Sequence, residues 1–401
     1  MSQAVVEEIV TPSPLMPRRT SRRWLVSAFL TTAIVALPVL SVLVLAFFPD
    51  ENIWPHLFST TLPRYVETTL WLMIGVSVIT LSTGLSTAWA VTMCEFPGRR
   101  FFEWALLLPF AVPAYVIAYV YTDLLQYTGP IQTILREWFG WQSASDYWFP
   151  EIRSLGGAII MLGLVLYPYV YLLARAAFLD QSPSLFSVSR SLGHSALSTF
   201  FRVVLPIARP AIAVGLSLVL METLNDFGTV DYFAVQTLTA GLFDTWMNLG
   251  NIGGAAQIAM VMLTFVVILV TLERYSRRRQ QQYAARDNRE PMQRFTMSKP
   301  RQWICVVVCA TPIILGFLVP ALVLGDYAIN YFGESWTADF VRNALNSLFL
   351  SSTAAFTTLV IGLTLAYSRR LHDTPGMRAM MRYWRWGSSF PWPLSIIRWT
   401  V

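Results

Sequence analysis

The chain has 401 residues, 55% of them hydrophobic and only 13% charged, with a net charge of +6 and a mean hydropathy of +0.51. Soluble domains carry about 25% charged residues, and here the apolar residues fall in blocks of about 20, enough to cross a hydrocarbon core of roughly 30 Å as helix. A soluble globular domain is excluded. So is a nucleic-acid binder, because the basic residues lie between the apolar blocks, mostly in alternate loops, which is the pattern that sets membrane topology.

The first block, Trp24 to Phe48, follows Arg18, Arg19, Arg22 and Arg23. It is long for a signal-peptide core and no small-residue cleavage site follows, so it reads as a retained first helix. Further blocks run near Val66–Met93, Phe101–Leu125, Leu155–Leu179, Pro210–Tyr232, Gly253–Glu273, Trp303–Gly325 and Val341–Tyr367. The expectation is an all-α, polytopic helix bundle of about eight spans, with a ninth after Met380. With the N-terminus inside, only Arg64, Arg136, Arg153 and Arg342 among the assigned basic residues fall outside, so the charge pattern predicts an N-in orientation. The outer loop 126–154 carries Trp138, Trp141 and Trp148, which suit a membrane interface.

Residues 274–301 are polar and rich in Arg and Gln, as in a linker between two membrane units. An internal repeat supports that division. An offset of 278 positions sets Thr68–Arg100 against Asn346–Arg378 and pairs Gly84 with Gly362 and Pro97-Gly98 with Pro375-Gly376. The expected organisation is a cytoplasmic tail over residues 1–23, a first membrane unit over 24–273, a cytoplasmic linker over 274–301 and an incomplete second unit over 302–401. The repeat register decays in 382–401, where Trp384, Trp386, Trp392 and Trp399 crowd together. A truncated or frame-shifted end is the expectation there.

The three cysteines are Cys94, Cys305 and Cys309. The last two could share one helix face, but without a His or acidic neighbour they read as small apolar packing residues rather than a metal site. No disulfide framework is expected.

Segment Ser187–Pro206 reads SVSRSLGHSALSTFFRVVLP. It is too polar to span as a whole, yet Leu192, Leu197, Phe200, Phe201 and Val204 recur at helical spacing. Gly193 stands where a turn between two short helices needs a positive φ, and Leu205-Pro206 leads into the next helix. Such an amphipathic element suits docking in a partner's groove; a helix lying on lipid is the alternative. Gly193, nine residues, Val203, one residue, then Leu205-Pro206 resembles the cytoplasmic signature of binding-protein-dependent ABC permeases. The leading Glu-Ala-Ala of that signature is here Ser187-Val188-Ser189. The resemblance implies the type I ABC importer architecture and makes this segment, with Ser187, Ser189, Gly193, His194, Val203, Leu205 and Pro206, the coupling element that receives ATP-driven movement.

The following helix carries METLNDFGTVDYF, Met221–Phe233. Glu222 and Asp226 lie roughly 20 Å and 26 Å along the helix from Arg209 at 1.5 Å per residue, with Asp231 near the outer face. Carboxylates at such depth are costly against lipid and should face the bundle interior. With AAQIA at Ala255–Ala259, this run is similar to the permeases of bacterial ferric-iron importers, which makes Glu222, Asp226, Gly228 and Asp231 candidates for a translocation pathway. Oxygen ligands suit a hard trivalent cation; pairing with an arginine or capping an unwound turn near Gly228 is the structural alternative. His194 lacks a ligand cluster, and no metal or other cofactor is expected to be bound by the chain.

The resemblance implies a bacterial inner membrane protein. It would act with two ATPase subunits, a periplasmic substrate-binding protein, membrane lipid and, with one coupling segment per chain, a second copy as homodimer. No Gly-rich phosphate loop with its lysine is present, Lys299 being the only lysine, so ATP is expected to be hydrolysed by the partner and no enzyme chemistry by this chain. Polyamines, thiamine and organophosphonates are alternative cargoes. An ATP-independent secondary transporter and a nonfunctional fragment are the alternative classes.

Overall fold

A computed structural model of the protein describes residues 22–49, 51–181, 188–189, 191–278 and 294–371. Ser187 and the segment 382–401 lie outside the described residues, as does most of the polar linker.

The helices, in chain order, are α1 (Arg22–Phe47), α2 (Trp54–Ser59), α3 (Leu62–Met93), α4 (Arg99–Ala105), α5 (Ala114–Leu125), α6 (Pro130–Phe139), α7 (Leu155–Leu179), α8 (Ala196–Thr199) and α9 (Leu205–Asn225). They continue with α10 (Gly228–Tyr232), α11 (Leu238–Phe243), α12 (Ile252–Arg278), α13 (Lys299–Ile313), α14 (Val319–Asn330), α15 (Phe332–Ser335) and α16 (Ala338–Leu371). Two-residue strands, β1 (Cys94–Glu95) and β2 (Phe295–Thr296), pair in parallel, Cys94 opposite Phe295. Proline stands in the first turn of α2, α3, α6 and α13, where its missing N–H costs nothing.

The expected count of eight to nine spans is high. Among the described residues six helices are long and apolar enough to cross a membrane, or seven if one bent pair forms a single span. The bend of 87° falls inside the block expected to run straight from Phe101 to Leu125. Pro109 ends its first half in a 3₁₀ turn, Leu108–Ala111, and Pro113, with ψ 143°, starts α5; two prolines so close leave no continuous ladder of helical hydrogen bonds. In α1 the described apolar stretch is the shorter Ala36–Phe47. The span expected at Pro210–Tyr232 instead runs Phe200–Asn225. It starts earlier because a π turn at Phe200–Val204 joins α8 to α9, and Phe200 and Val204 are buried rather than solvated.

The described residues divide into two compact units, one over 42–335, the other made of 22–41 and 336–371. In the first, α3 and α7 form the centre. Their contact is built on small residues: a Cβ at Gly75 would lie 2.5 Å from Ile159, one at Gly84 2.8 Å from Val170, and one at Gly163 2.5 Å from Ile79. Close helix approach through glycine is the usual means of packing where solvent supplies no hydrophobic drive. Two thirds of the most apolar stretch of α7 is buried.

Polar side chains on α7 complete backbone groups that the bent region leaves unpaired. At the end of α4 the chain tightens, with the N–H of Leu107 bonding to Trp104 instead of Glu103. The Tyr171 hydroxyl donates to the released Glu103 carbonyl at 2.8 Å, and Tyr167 donates to the Leu106 carbonyl at 2.7 Å. Arg175, a further turn along, pairs with the Glu103 carboxylate, which Arg99 also approaches at 3.8 Å.

The span Lys299–Asn330 packs in this same unit, interrupted by a π turn at Ile314–Leu318. There the N–H of Val319 bonds back to Ile314. The next donor in that pattern would be Pro320, which has none, so the Leu315 carbonyl is orphaned. Tyr121 of α5 donates to it at 2.7 Å. Gly316 lies against Pro109 and the Leu164 carbonyl, a Cβ there being 3.1 Å from each; Pro168 has removed the usual helical donor to Leu164. In the other unit, every described side chain of α16 from Ala338 to Val360 is exposed.

Candidate functional site

Two places in the 42–335 unit carry the residues singled out by sequence. The first is the segment 188–206. Gly193 has φ +76°, a left-handed conformation that a side chain disfavours, and a Cβ there would meet nothing within 4 Å. Its need for glycine is therefore backbone geometry alone. The turn is closed by the N–H of Leu192 on the Val188 carbonyl and the N–H of His194 on the Ser189 carbonyl. Ser195 then starts α8, its hydroxyl accepting from the N–H of Ser198 at 3.3 Å. Ser189 is buried and bonds to the Thr199 hydroxyl across the turn at 2.8 Å. His194 meets the Ser198 hydroxyl through Nδ1 at 3.2 Å.

The segment has two sides. Val188, Leu192 and Phe201 are 57%, 70% and 61% exposed, whereas Phe200 is 9% exposed and Val204 fully buried. The Phe200 ring packs edge-on against Trp89 of α3, centroids 5.0 Å apart, and against Phe178 of α7 at 6.2 Å. Gln181, just past α7, donates to the Val204 carbonyl at 3.1 Å. Val203, Leu205 and Pro206 are half-buried. The segment thus shows an apolar face outward and is rooted through two side chains in the ends of the two central helices. Periodicity marked Phe200 and Phe201 alike; what separates them is the tertiary contact. Trp89, Phe178 and Gln181 carried no signal of their own.

The second place is the end of α9. Glu222 is half-buried and its carboxylate faces the hydroxyl of Tyr169 on α7. The Tyr169 ring in turn packs edge-on to Phe110, centroids 4.7 Å apart. Asp226 terminates α9 and caps α10: Oδ1 accepts from the N–H groups of Thr229 at 3.0 Å and Val230 at 3.2 Å, and Oδ2 from the Thr229 hydroxyl at 3.1 Å. Its oxygens are therefore engaged in holding the break between the helices. Gly228 allows close approach to α5, a Cβ there lying 3.0 Å from Tyr115. Asp231 is exposed. Helix α10 ends with Ala234 at φ +54°, the N–H of Val235 reaching Val230 and that of Ala234 reaching Asp231. This is a Schellman termination with alanine where glycine is usual. Gln257 of the AAQIA run is buried in α12, donating to the Ala46 carbonyl at 3.4 Å. The structure brings Glu222 and Asp226 to one helix end, apart from the 188–206 segment. Among the described residues no group of three or more His, Cys, Asp or Glu side chains could hold a metal ion.

Comparison with known proteins places the chain among transport components. It is 26% identical over 316 residues to the Fe(3+)-transport system permease protein FbpB 2 of Haemophilus influenzae, covering 78% of this chain and 58% of that protein. It therefore spans less than two thirds of that relative's length. It is 24% identical over 215 residues to the molybdenum transport system permease protein ModB of Escherichia coli strain K12, covering 52% of this chain and 90% of that one. The fold is shared with a crystal structure of a bacterial ABC transporter involved in import of the acidic polysaccharide alginate, at TM-score 0.52 and 18% identity over 65% of this chain and 97% of that one. Residues 81–282, half of the sequence and inclusive of both places described above, match the model of the binding-protein-dependent transport system inner membrane component, and the chain belongs to that family.

Proposed function

We propose that this chain is the membrane-spanning permease subunit of an ATP-driven importer, N-terminus inside, and that ferric iron is its cargo. The observation that carries the reading is the two-sided segment 188–206. Its outward Val188, Leu192 and Phe201 form a docking face for an ATPase subunit, and Phe200 and Val204 pass the load to α3 and α7. Cargo arrives from a periplasmic binding protein, and ATP is hydrolysed by two partner ATPases.

Iron is favoured over the oxyanions by charge. Residues 210–273 contain Glu222, Asp226, Asp231, Asp244 and Glu273 and not one Lys or Arg. A half-buried carboxylate such as Glu222 attracts a hard cation and repels molybdate or sulfate. The name of the iron permease matched over most of the chain supports the same choice.

The test is co-purification with the ATPase encoded beside it, with stoichiometry measured in detergent. Gly193→Val, which strains the turn, is expected to lower ATPase association, while Gly193→Asn, which tolerates positive φ, retains it. Equal association by all three proteins would refute the docking role. Uptake of radioactive iron into proteoliposomes of the complete transporter, against molybdate and sulfate, decides the cargo. Glu222→Gln is expected to slow iron uptake with ATPase association unchanged.

A further inference from the structure

All three cysteines of the chain come together although they are far apart in sequence. Cys94 closes α3 and opens β1; Cys305 and Cys309 lie one turn apart on α13. The pairing of Cys94 with Phe295 fixes the Cys94 backbone beside the strand that leads, ten residues later, into Cys305. Cys94 and Cys309 are buried, at 1% and 0% exposure, in the cluster that holds Trp89, Phe178 and Phe200, and Cys305 packs against that cluster while remaining partly exposed. The Cys94 and Cys305 side chains are neighbours there, and Cys309 lies within electrostatic reach of both.

We infer that Cys94 and Cys305 form a redox-active dithiol, a modification site whose oxidant is a small disulfide such as oxidised glutathione. Thiolate exchange runs through a mixed disulfide, and access selects the attacking sulfur. Cys305, the only member of the pair not fully covered, loses its proton and attacks one glutathione sulfur, expelling a glutathione thiolate that takes up a proton. Cys94 then gives up its proton and attacks the Cys305 sulfur, expelling the second glutathione. Two protein thiols become one disulfide, and one glutathione disulfide becomes two thiols. Cys309, one turn deeper and fully covered, stays reduced. The product ties the end of α3 to α13, one turn beyond Trp89, on which the Phe200 ring rests.

The full-length protein in detergent, treated with oxidised glutathione and then unfolded for thiol titration, is expected to fall from three free thiols to one. A non-reducing peptide map should join Cys94 to Cys305. Cys309→Ser should retain the cross-link and leave no free thiol; Cys94→Ser should stop with one glutathione held on Cys305. A wild-type protein that elutes as a single species and keeps three thiols, halts at the glutathione adduct, or joins Cys305 to Cys309 overturns the assignment. The wild-type map decides even if Cys94→Ser fails to fold.

Discussion

Helices α7 and α16 look alike as sequences, since both are long apolar spans, but they sit in opposite surroundings. Two thirds of the apolar stretch of α7 is buried within its unit, and none of the corresponding stretch of α16 is buried within its own. In water such a difference would be visible in the pattern of apolar residues; in hydrocarbon an exposed leucine costs nothing, so apolarity marks a span without marking a core. The marks of the core helix are of other kinds. Gly163 admits Ile79, and Tyr167, Tyr171 and Arg175 follow one another along a face to complete the broken chain at Glu103 and Leu106. Helix α16 has Gly362 alone over its described spanning length and no comparable tyrosine ladder.

The contrast can be broken most forcefully at its small residues. Gly84→Val drives a branched side chain into Val170 and the Tyr167 backbone, and is expected to cost at least about 3 kcal/mol, seen as loss of a monodisperse protein in detergent. Tyr167→Phe keeps the ring but leaves a buried carbonyl unpaired. A loss of about 1–3 kcal/mol is expected, measured as a lowered melting temperature in one detergent. Asp226→Ala removes the cap of α10 for about 1 kcal/mol, and Asp226→Asn, which retains an acceptor, should recover most of it in the same assay. Ala234→Gly relieves the left-handed alanine and should stabilise by about 0.5–1 kcal/mol. On α16, Leu348→Ala should stay within about 0.5 kcal/mol of wild type. A larger loss there would mean that α16 packs tightly in the solubilised protein, and the contrast would fail.

The membrane class, most helix positions and the turn at Gly193 were legible because each follows from local chemistry: apolar blocks, basic loops, and a glycine at the change of direction. The 87° bend was written in Pro109 and Pro113, yet a block reading joined the flanking helices because both are apolar. The part of segment 188–206 that belongs to the span, Phe200 to Pro206, reads from sequence as the end of a short amphipathic element outside it. Serine and arginine nearby lower the apolar density, and only contact with Trp89 and Phe178 shows Phe200 to be interior. Depth in the span left Asp226 open between a pathway carboxylate and a cap on the unwound turn near Gly228, and its three hydrogen bonds make it the cap. The meeting of the three cysteines depends on pairing between distant strands, which no local pattern contains.

The π turns at Phe200–Val204 and Ile314–Leu318 bear on how these spans tolerate a change of length. Each wider loop holds one residue more than an α-helix would place there, and each residue of an α-helix advances its face by about 100°. A span with such a turn holds an extra residue without breaking. Deleting one residue within Phe200–Val204 would restore the plain helix with its length and downstream face nearly unchanged, keeping Glu222 opposite Tyr169, whereas deleting one residue from the regular helix between Leu205 and Met221 would swing Glu222 by about 100° away from it.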